Sequence, residues 1–415
     1  MVGDHGNNRV TASSRGLVVI CSHSVDDPLV STLILDYTLR MQAAGGGRHV
    51  LLFTEEPLLS TDHRDLSARL AMERITWVPL QYDHRQRFQW LRKFRNGFIL
   101  LQRCRGFLKK HPNSAVLGFL GIAGAYALLM KEFLGFAKGI TLCFEPHSLY
   151  MREVGIWSPW SPKYLFTSWM ERLQIRRMDV LVVPTSSGHA QALAMGRKGP
   201  TPVLGVTIDV GACLHDPRMR AEIRKKEGFG NDPVFLYVGK FGGIYHSVDA
   251  YVRFMCAVLK VIPDARFMVV TFKEWSDLLD KHPERAALGE RLRMVPPVPP
   301  DALSAVLSAG DIGVVAIPPS PAQAFRTPVK TAHYWAAGMP ILIPRGVSDD
   351  GTIAEQEGTG IVVDDLASAG DHELVRKMAE FRALDPEVLR QRCMDCAMRY
   401  RDTSLTVELL NELLA

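Results

Sequence analysis

SPAQAFRTPVKTAHYWAAG, residues 320–338, runs between two short apolar segments, Ile312–Ile317 and Pro340–Pro344. Apolar runs of this length read as buried parallel strands, and the segment between them reads as a helix, so the stretch spells one step of a doubly wound α/β sheet. Thr327 is placed as the N-cap and Pro328 as the first helical residue, where a missing N–H costs nothing. The free amides of that first turn, with Arg326 just before it, face the edge of the sheet and favour an anion such as phosphate. Lys330 stands in the same turn, where a cation opposes the helix dipole by about 0.3–1 kcal/mol. A diphosphate removes that conflict; a lysine stem that carries its ammonium out to solvent removes it as well.

The same alternation extends in both directions. In the first half the runs Leu17–Cys21, His49–Thr54, Trp77–Leu80, Ala115–Leu120, Ile140–Phe144 and Val180–Pro184 are separated by helical periodicity. In the second half Val234–Gly239, Arg266–Thr271, Ile312–Ile317, Pro340–Pro344 and Gly360–Val363 repeat the arrangement. The 415 residues exceed what one core accommodates, so two Rossmann-like domains in series are expected, their strand ends facing across a cleft. The boundaries follow composition: a polar tail at 1–15, a first domain at 16–205, a Gly- and charge-rich connection at 206–232, a second domain at 233–385, and amphipathic helices at 386–415.

With 47% hydrophobic and 22% charged residues, the chain is globular rather than disordered. Its seven cysteines are scattered, and the close pair Cys393 and Cys396 has no second pair to complete a zinc site. Packing in a reducing, cytoplasmic compartment is the expectation. The longest apolar stretch, 114–144, is broken by Gly, Lys and Glu and falls short of a membrane span. The net charge of +5 points to an anionic partner without naming one.

The first strand of the second domain ends in VFLYVGKFGG, which puts Lys240, Gly242 and Gly243 where glycines allow a backbone to approach a phosphate. With this loop the sequence resembles a known family. TPVKTAHYWAAGMPILIP is similar to the donor-site helix and following strand of the retaining GT-B glycosyltransferases with the E-x7-E signature. DALSAVLSAGDIGVVAI, GVSDDGTIAEQEGTGIVV and, less specifically, MERLQIRRMDVLVVPTS resemble other segments of the same family. The resemblance implies a nucleotide diphosphate sugar such as a UDP- or GDP-sugar as donor, transfer with retention, and no required metal. Lys330 matches the motif lysine and Lys240 a position often held by arginine, so both are expected to neutralise the leaving diphosphate. The two signature glutamates are replaced here by Phe325 and His333. His333 retains a hydrogen bond for a ribose hydroxyl, Phe325 does not. Asp349 and Asp350 are candidates for the missing carboxylates, against the plainer reading of a solvated acidic turn.

On the acceptor side, GITLCFEPHSLYMRE places Glu145 and His147 at a strand end, where the resemblance implies a histidine beside the reacting sugar; a packing histidine is the alternative. The segment 84–111 carries nine Lys or Arg and no carboxylate, with Phe88, Leu91, Phe94, Phe98, Leu101 and Leu108 on one stripe and Arg85, Arg92, Arg103 and Lys110 opposite. This suits an anionic membrane surface and a glycan or lipid-linked acceptor, or else the stripe is core and the arginines are solvated. No base-reading motif or aromatic platform for nucleic acid accompanies the charge. The expected function is transfer of a sugar in envelope or extracellular polysaccharide synthesis. The alternatives are a GT-B protein that binds without turnover, which the missing glutamates favour, and a nucleotide-sugar epimerase.

Overall fold

The computed structural model describes residues 16–45, 47–57, 63–82, 89–368 and 372–415; the expected tail at 1–15 and positions 84–88 of the basic segment lie outside them. The first sheet is built from β1 (Leu17–Cys21), β2 (Val50–Glu56), β3 (Ile75–Gln81), β4 (Ala115–Phe119), β5 (Lys138–Leu142) and β6 (Val180–Leu181). The second holds β7 (Val234–Val238), β8 (Arg266–Val270), β9 (Leu292–Val295), β10 (Ile312–Val314), β11 (Ile341–Pro344) and β12 (Gly360–Val363). All the pairings are parallel, in the orders β3-β2-β1-β4-β5-β6 and β12-β11-β10-β7-β8-β9. Counted from its own first strand, each sheet has the 3-2-1-4-5-6 Rossmann order, which places a ligand crevice outside β1 and β4 in one and β7 and β10 in the other.

The strands read from the sequence match these elements except β9. LRMV is a short edge strand whose Arg293 donates to the Glu227 carbonyl, so its apolar signal is broken. Strands such as β1 and β4 are buried along their whole length, with helices on both faces, which is why they appeared as continuous apolar runs. Within the connecting stretch 206–232, Pro217–Glu227 is a helix capped by Asp216 and ended by Gly228 at φ +73°. Its Arg220 and Arg224 both pair with Asp311 ahead of β10, which fastens it to the second sheet.

The chain ends in two helices, Pro386–Arg401 and Thr403–Leu414. The last one returns to the first sheet's side and packs on the helix Leu35–Gly45. There the Tyr37 hydroxyl donates to the Thr207 carbonyl at 2.6 Å and Lys138 Nζ donates to the Leu413 carbonyl. Among the described residues no helix is long and apolar enough to cross a membrane.

Candidate functional site

The helix between β10 and β11 spans Val329–Ala336 with Pro328 as its N-cap. The N-cap expectation for Thr327 is corrected by one residue, because its hydroxyl donates to the Pro184 carbonyl of the first domain at 3.1 Å instead of accepting from a helix amide. Lys330 sits in the first turn as expected, but it neither reaches solvent nor pairs. Its ammonium is buried without a hydrogen-bond partner, 4.5 Å from the Tyr237 ring centroid and 4.4 Å from that of Tyr245. Burial lowers its pKa from 10.5 to about 7. The glycine after β7 is part of the same cradle: a Cβ on Gly239 would lie 2.9 Å from Lys330 Nζ.

The loop that follows folds tightly at Gly242 (φ +75°) and Gly243 (φ +61°), and the Gly242 amide donates to the His246 carbonyl at 3.0 Å. Lys240, unlike Lys330, is exposed, with its ammonium 5.4 Å from the Phe272 ring centroid. One turn on from Lys330 the His333 ring bonds the Val329 carbonyl, and burial lowers its pKa to about 4, so it is neutral at physiological pH. Phe325 ends the short turn Gln323–Phe325 and is half-buried.

The first domain meets this loop directly. Cys143, at φ +55°, turns the chain out of β5 so that Glu145 and His147 stand at the cleft. Glu145 accepts a two-pronged bond from the Arg326 guanidinium, which also lies 4.4 Å over the Tyr150 ring. His147 begins the helix His147–Glu153, with its ring 5.4 Å from Trp157. Burial lowers its pKa, Glu145 opposes that shift, and Arg326 and His23 add to it. A neutral imidazole is thus held beside an ion pair, able to accept a proton or to hydrogen-bond a sugar hydroxyl.

Glu145, His147, Arg326 and Lys330 are therefore gathered into one site, with Tyr245 between Arg326 and Lys330. Asp349 is used differently, since its carboxylate accepts from the Ser186 amide at 2.7 Å and ties the two domains together. The expectation for Asp350 is corrected outright. It is fully buried and ion-paired with Arg401, so it cannot supply a carboxylate to the cleft. Sequence reasoning missed His23, in the loop after β1, whose buried Nδ1 has no partner and whose charge acts on His147. It also missed Glu153, which accepts from the Ser320 hydroxyl and the Ala322 amide across the cleft. The position of CSHS directly after the first strand, at the switch point, was the available signal for His23. Among the described residues no cluster suited to a metal ion is present.

No protein-family model matches the chain, nor does any curated protein sequence. Solved structures match by fold. Sucrose-phosphate synthase from Thermosynechococcus elongatus superposes with a TM-score of 0.70 at 16% identity, over 96% of this chain and 98% of that one. Anabaena HepE, solved in complex with UDP-glucose, gives 0.66 at 10% identity over 96% and 99%. WaaG, a glycosyltransferase involved in lipopolysaccharide biosynthesis, gives 0.61 at 14% identity over 94% and 99%. The chain has the GT-B fold of these proteins, two Rossmann-like domains about a cleft.

Proposed function

We propose that the chain is a retaining glycosyltransferase that binds a nucleotide diphosphate sugar against the helix Val329–Ala336 and transfers the sugar to an acceptor held by the first domain. The observation that carries this reading is the Lys330 ammonium, buried without a hydrogen-bond partner in the first turn of a helix, between Tyr237 and Tyr245. A cation so placed is stabilised by an anion, and most by one whose charge grows as a glycosidic bond breaks. The glycine loop at Gly242 and Gly243 lets the backbone approach the same group, with the exposed Lys240 at its mouth. Arg326, Thr327 and His333 flank the donor, His333 as a neutral partner for a ribose hydroxyl. Asp349 serves the donor by holding the loop against Ser186. His147, neutral and beside Glu145, orients the acceptor hydroxyl, and the departing phosphate takes its proton. UDP-sugars are the first donors to try, since HepE was solved with UDP-glucose.

The acceptor is a glycan or lipid-linked saccharide reached from the cytoplasmic face of a membrane. The exposed Leu91, Phe94 and Phe98 on an otherwise basic helix support that location. A second reading, donor binding without turnover, is favoured by Phe325 and His333 at the two glutamate positions of the resembled family. A thermal-shift panel of UDP-, GDP- and dTDP-sugars tests the binding. At a hundred times its dissociation constant a true donor adds about 2.7 kcal/mol of stability. Slow release of free sugar from the stabilising donor then separates a transferase from a binding protein, and interconversion of sugar nucleotides would mark an epimerase. No stabilisation by any donor would refute the proposal.

A further inference from the structure

The first domain carries a second concavity, outside the donor cleft. It lies between the helices Gln89–Lys110, Leu120–Leu134 and Pro162–Arg177, has a volume of about 760 Å³, and is walled by Phe94, Phe98, Ile122, Leu129, Phe133 and Phe166. Four of these rings stand open to solvent, Phe94 at 73%, Phe98 at 65%, Phe133 at 74% and Phe166 at 61% exposed. Surfaces of that kind on a single chain mark a binding site rather than a packing accident. Three polar side chains of the wall are already engaged: Lys93 with Glu55, Glu171 with Ser148, and Gln174 with the Gly121 carbonyl. An adjoining hollow shares Phe98, Leu101 and Phe133 and runs on to Arg105 and Lys109. From Lys93 to Lys109 the helix covers about 24 Å.

The inner end of this groove lies against the backbone that carries Glu145 and His147. Gly121 lines it, and a Cβ there would lie 3.0 Å from the Glu145 carbonyl oxygen. Glu171 lines it too, and its carboxylate accepts from the Ser148 amide and hydroxyl and from the His147 amide, holding the start of the helix that carries His147. The outer end is basic, with Arg105 and Lys109 lining the adjoining hollow, on a helix that has no carboxylate between Gln89 and Lys110. An apolar channel that opens among cations and ends behind Glu145 and His147 fits one kind of occupant.

We infer that the groove holds a single hydrocarbon chain of an anionic, lipid-linked acceptor, drawn from the bilayer past the basic rim so that the saccharide head meets His147. The inference rests on the transferase reading for the identity of the head, whereas the chain-binding step stands on the groove alone. Octyl, decyl and dodecyl β-glucosides, each used as monomers and without any donor, are the probes. Calorimetric affinity is expected to rise about fourfold for each added methylene until the groove is filled.

Gly97 lines the groove, and a Cβ built there meets nothing within 4 Å, so Gly97→Trp places an indole in the channel without strain on the backbone. This variant, and Ala125→Phe on the opposite wall, should weaken dodecyl glucoside at least tenfold. Sedimentation with phosphatidylserine vesicles should remain, because the basic rim is untouched. Affinity that ignores chain length, or plugged variants that bind as the wild type does, would overturn the inference. So would a concentration-dependent dimer whose formation Gly97→Trp abolishes, which would make the groove an interface between copies. If the alkyl glucosides bind as expected but no nucleotide sugar does, the groove stands and the transferase reading falls.

Discussion

Replacing Lys330 by Met tests the donor site through protons rather than through rate alone. In the free protein burial brings the Lys330 pKa down to about 7, from 10.5 for an ordinary lysine. A diphosphate beside the ammonium favours the charged form and moves the pKa back up. At pH 8 the free site is then only about one-tenth protonated and the occupied site almost fully so, and binding should take up about 0.9 proton. The complex holds more protons than the free protein, so donor affinity must fall as pH rises, by about tenfold per unit above pH 7. Calorimetry at pH 8 in two buffers of different ionisation enthalpy counts that proton. A nucleotide sugar without a terminal phosphate monoester is the right titrant, because it contributes no titration of its own.

Lys330→Met should bind the donor with no proton uptake and a flat pH profile, and should lose roughly a hundredfold to a thousandfold in turnover. Its stability makes an independent check. Between pH 7 and 10.5 the unfolded wild type holds a proton on Lys330 that the folded state lacks, so wild-type stability relative to the variant should rise with pH across that window. The limiting slope is about 1.4 kcal/mol per pH unit. Equal proton uptake by both proteins, or a stability difference that does not change with pH, would refute the assignment of the diphosphate to Lys330.

Arg401→Met leaves Asp350 buried and unpaired and should cost about 3–5 kcal/mol in a denaturant titration, most of it recovered when Asp350→Asn is added. His147→Ala should lower turnover while leaving donor affinity nearly unchanged, as read by separate rate and binding measurements. Because burial lowers the His147 pKa, the acid limb of the wild-type rate profile should fall below pH 6.5 and disappear in that variant. Charge reversal at Arg92, Arg103 and Lys110 together should release the protein from anionic vesicles in a sedimentation assay, each contact being worth about 1 kcal/mol, with no effect on neutral vesicles.

The fold was legible because parallel strands covered on both faces are uninterrupted in sequence, as LVVIC at β1 and ILIP at β11 are. At β9, charge inside an edge strand hid the signal. The site was legible only where one local rule acted alone. Lys330 stood out because a cation in a first helical turn is anomalous in any fold, but its enclosure by Tyr237 and Tyr245 is a product of tertiary packing. Asp349 and Asp350 are adjacent and chemically identical, and what separates them is Arg401, which lies fifty-one residues beyond Asp350 and closes over it from the end of the helix Pro386–Arg401. Thr327 looked like an N-cap because local capping was its only visible option; the Pro184 carbonyl that accepts its hydrogen bond belongs to the other domain.

What holds for Thr327 holds for the whole donor loop. Between Ser320 and Thr327 the chain is held from across the cleft: Glu153 takes the Ser320 hydroxyl and the Ala322 amide, the Thr185 hydroxyl donates to the Ala324 carbonyl, and Glu145 takes Arg326. The loop that delivers Lys330 is therefore shaped by the first domain. Any motion that parts the domains must break these bonds and expose Arg326, and any donor that needs Lys330 in its present position favours the state in which they are made. On the proposed reading donor binding and domain closure are one equilibrium, and Glu145, which acts electrostatically on both Arg326 and His147, would couple the donor side to the acceptor side.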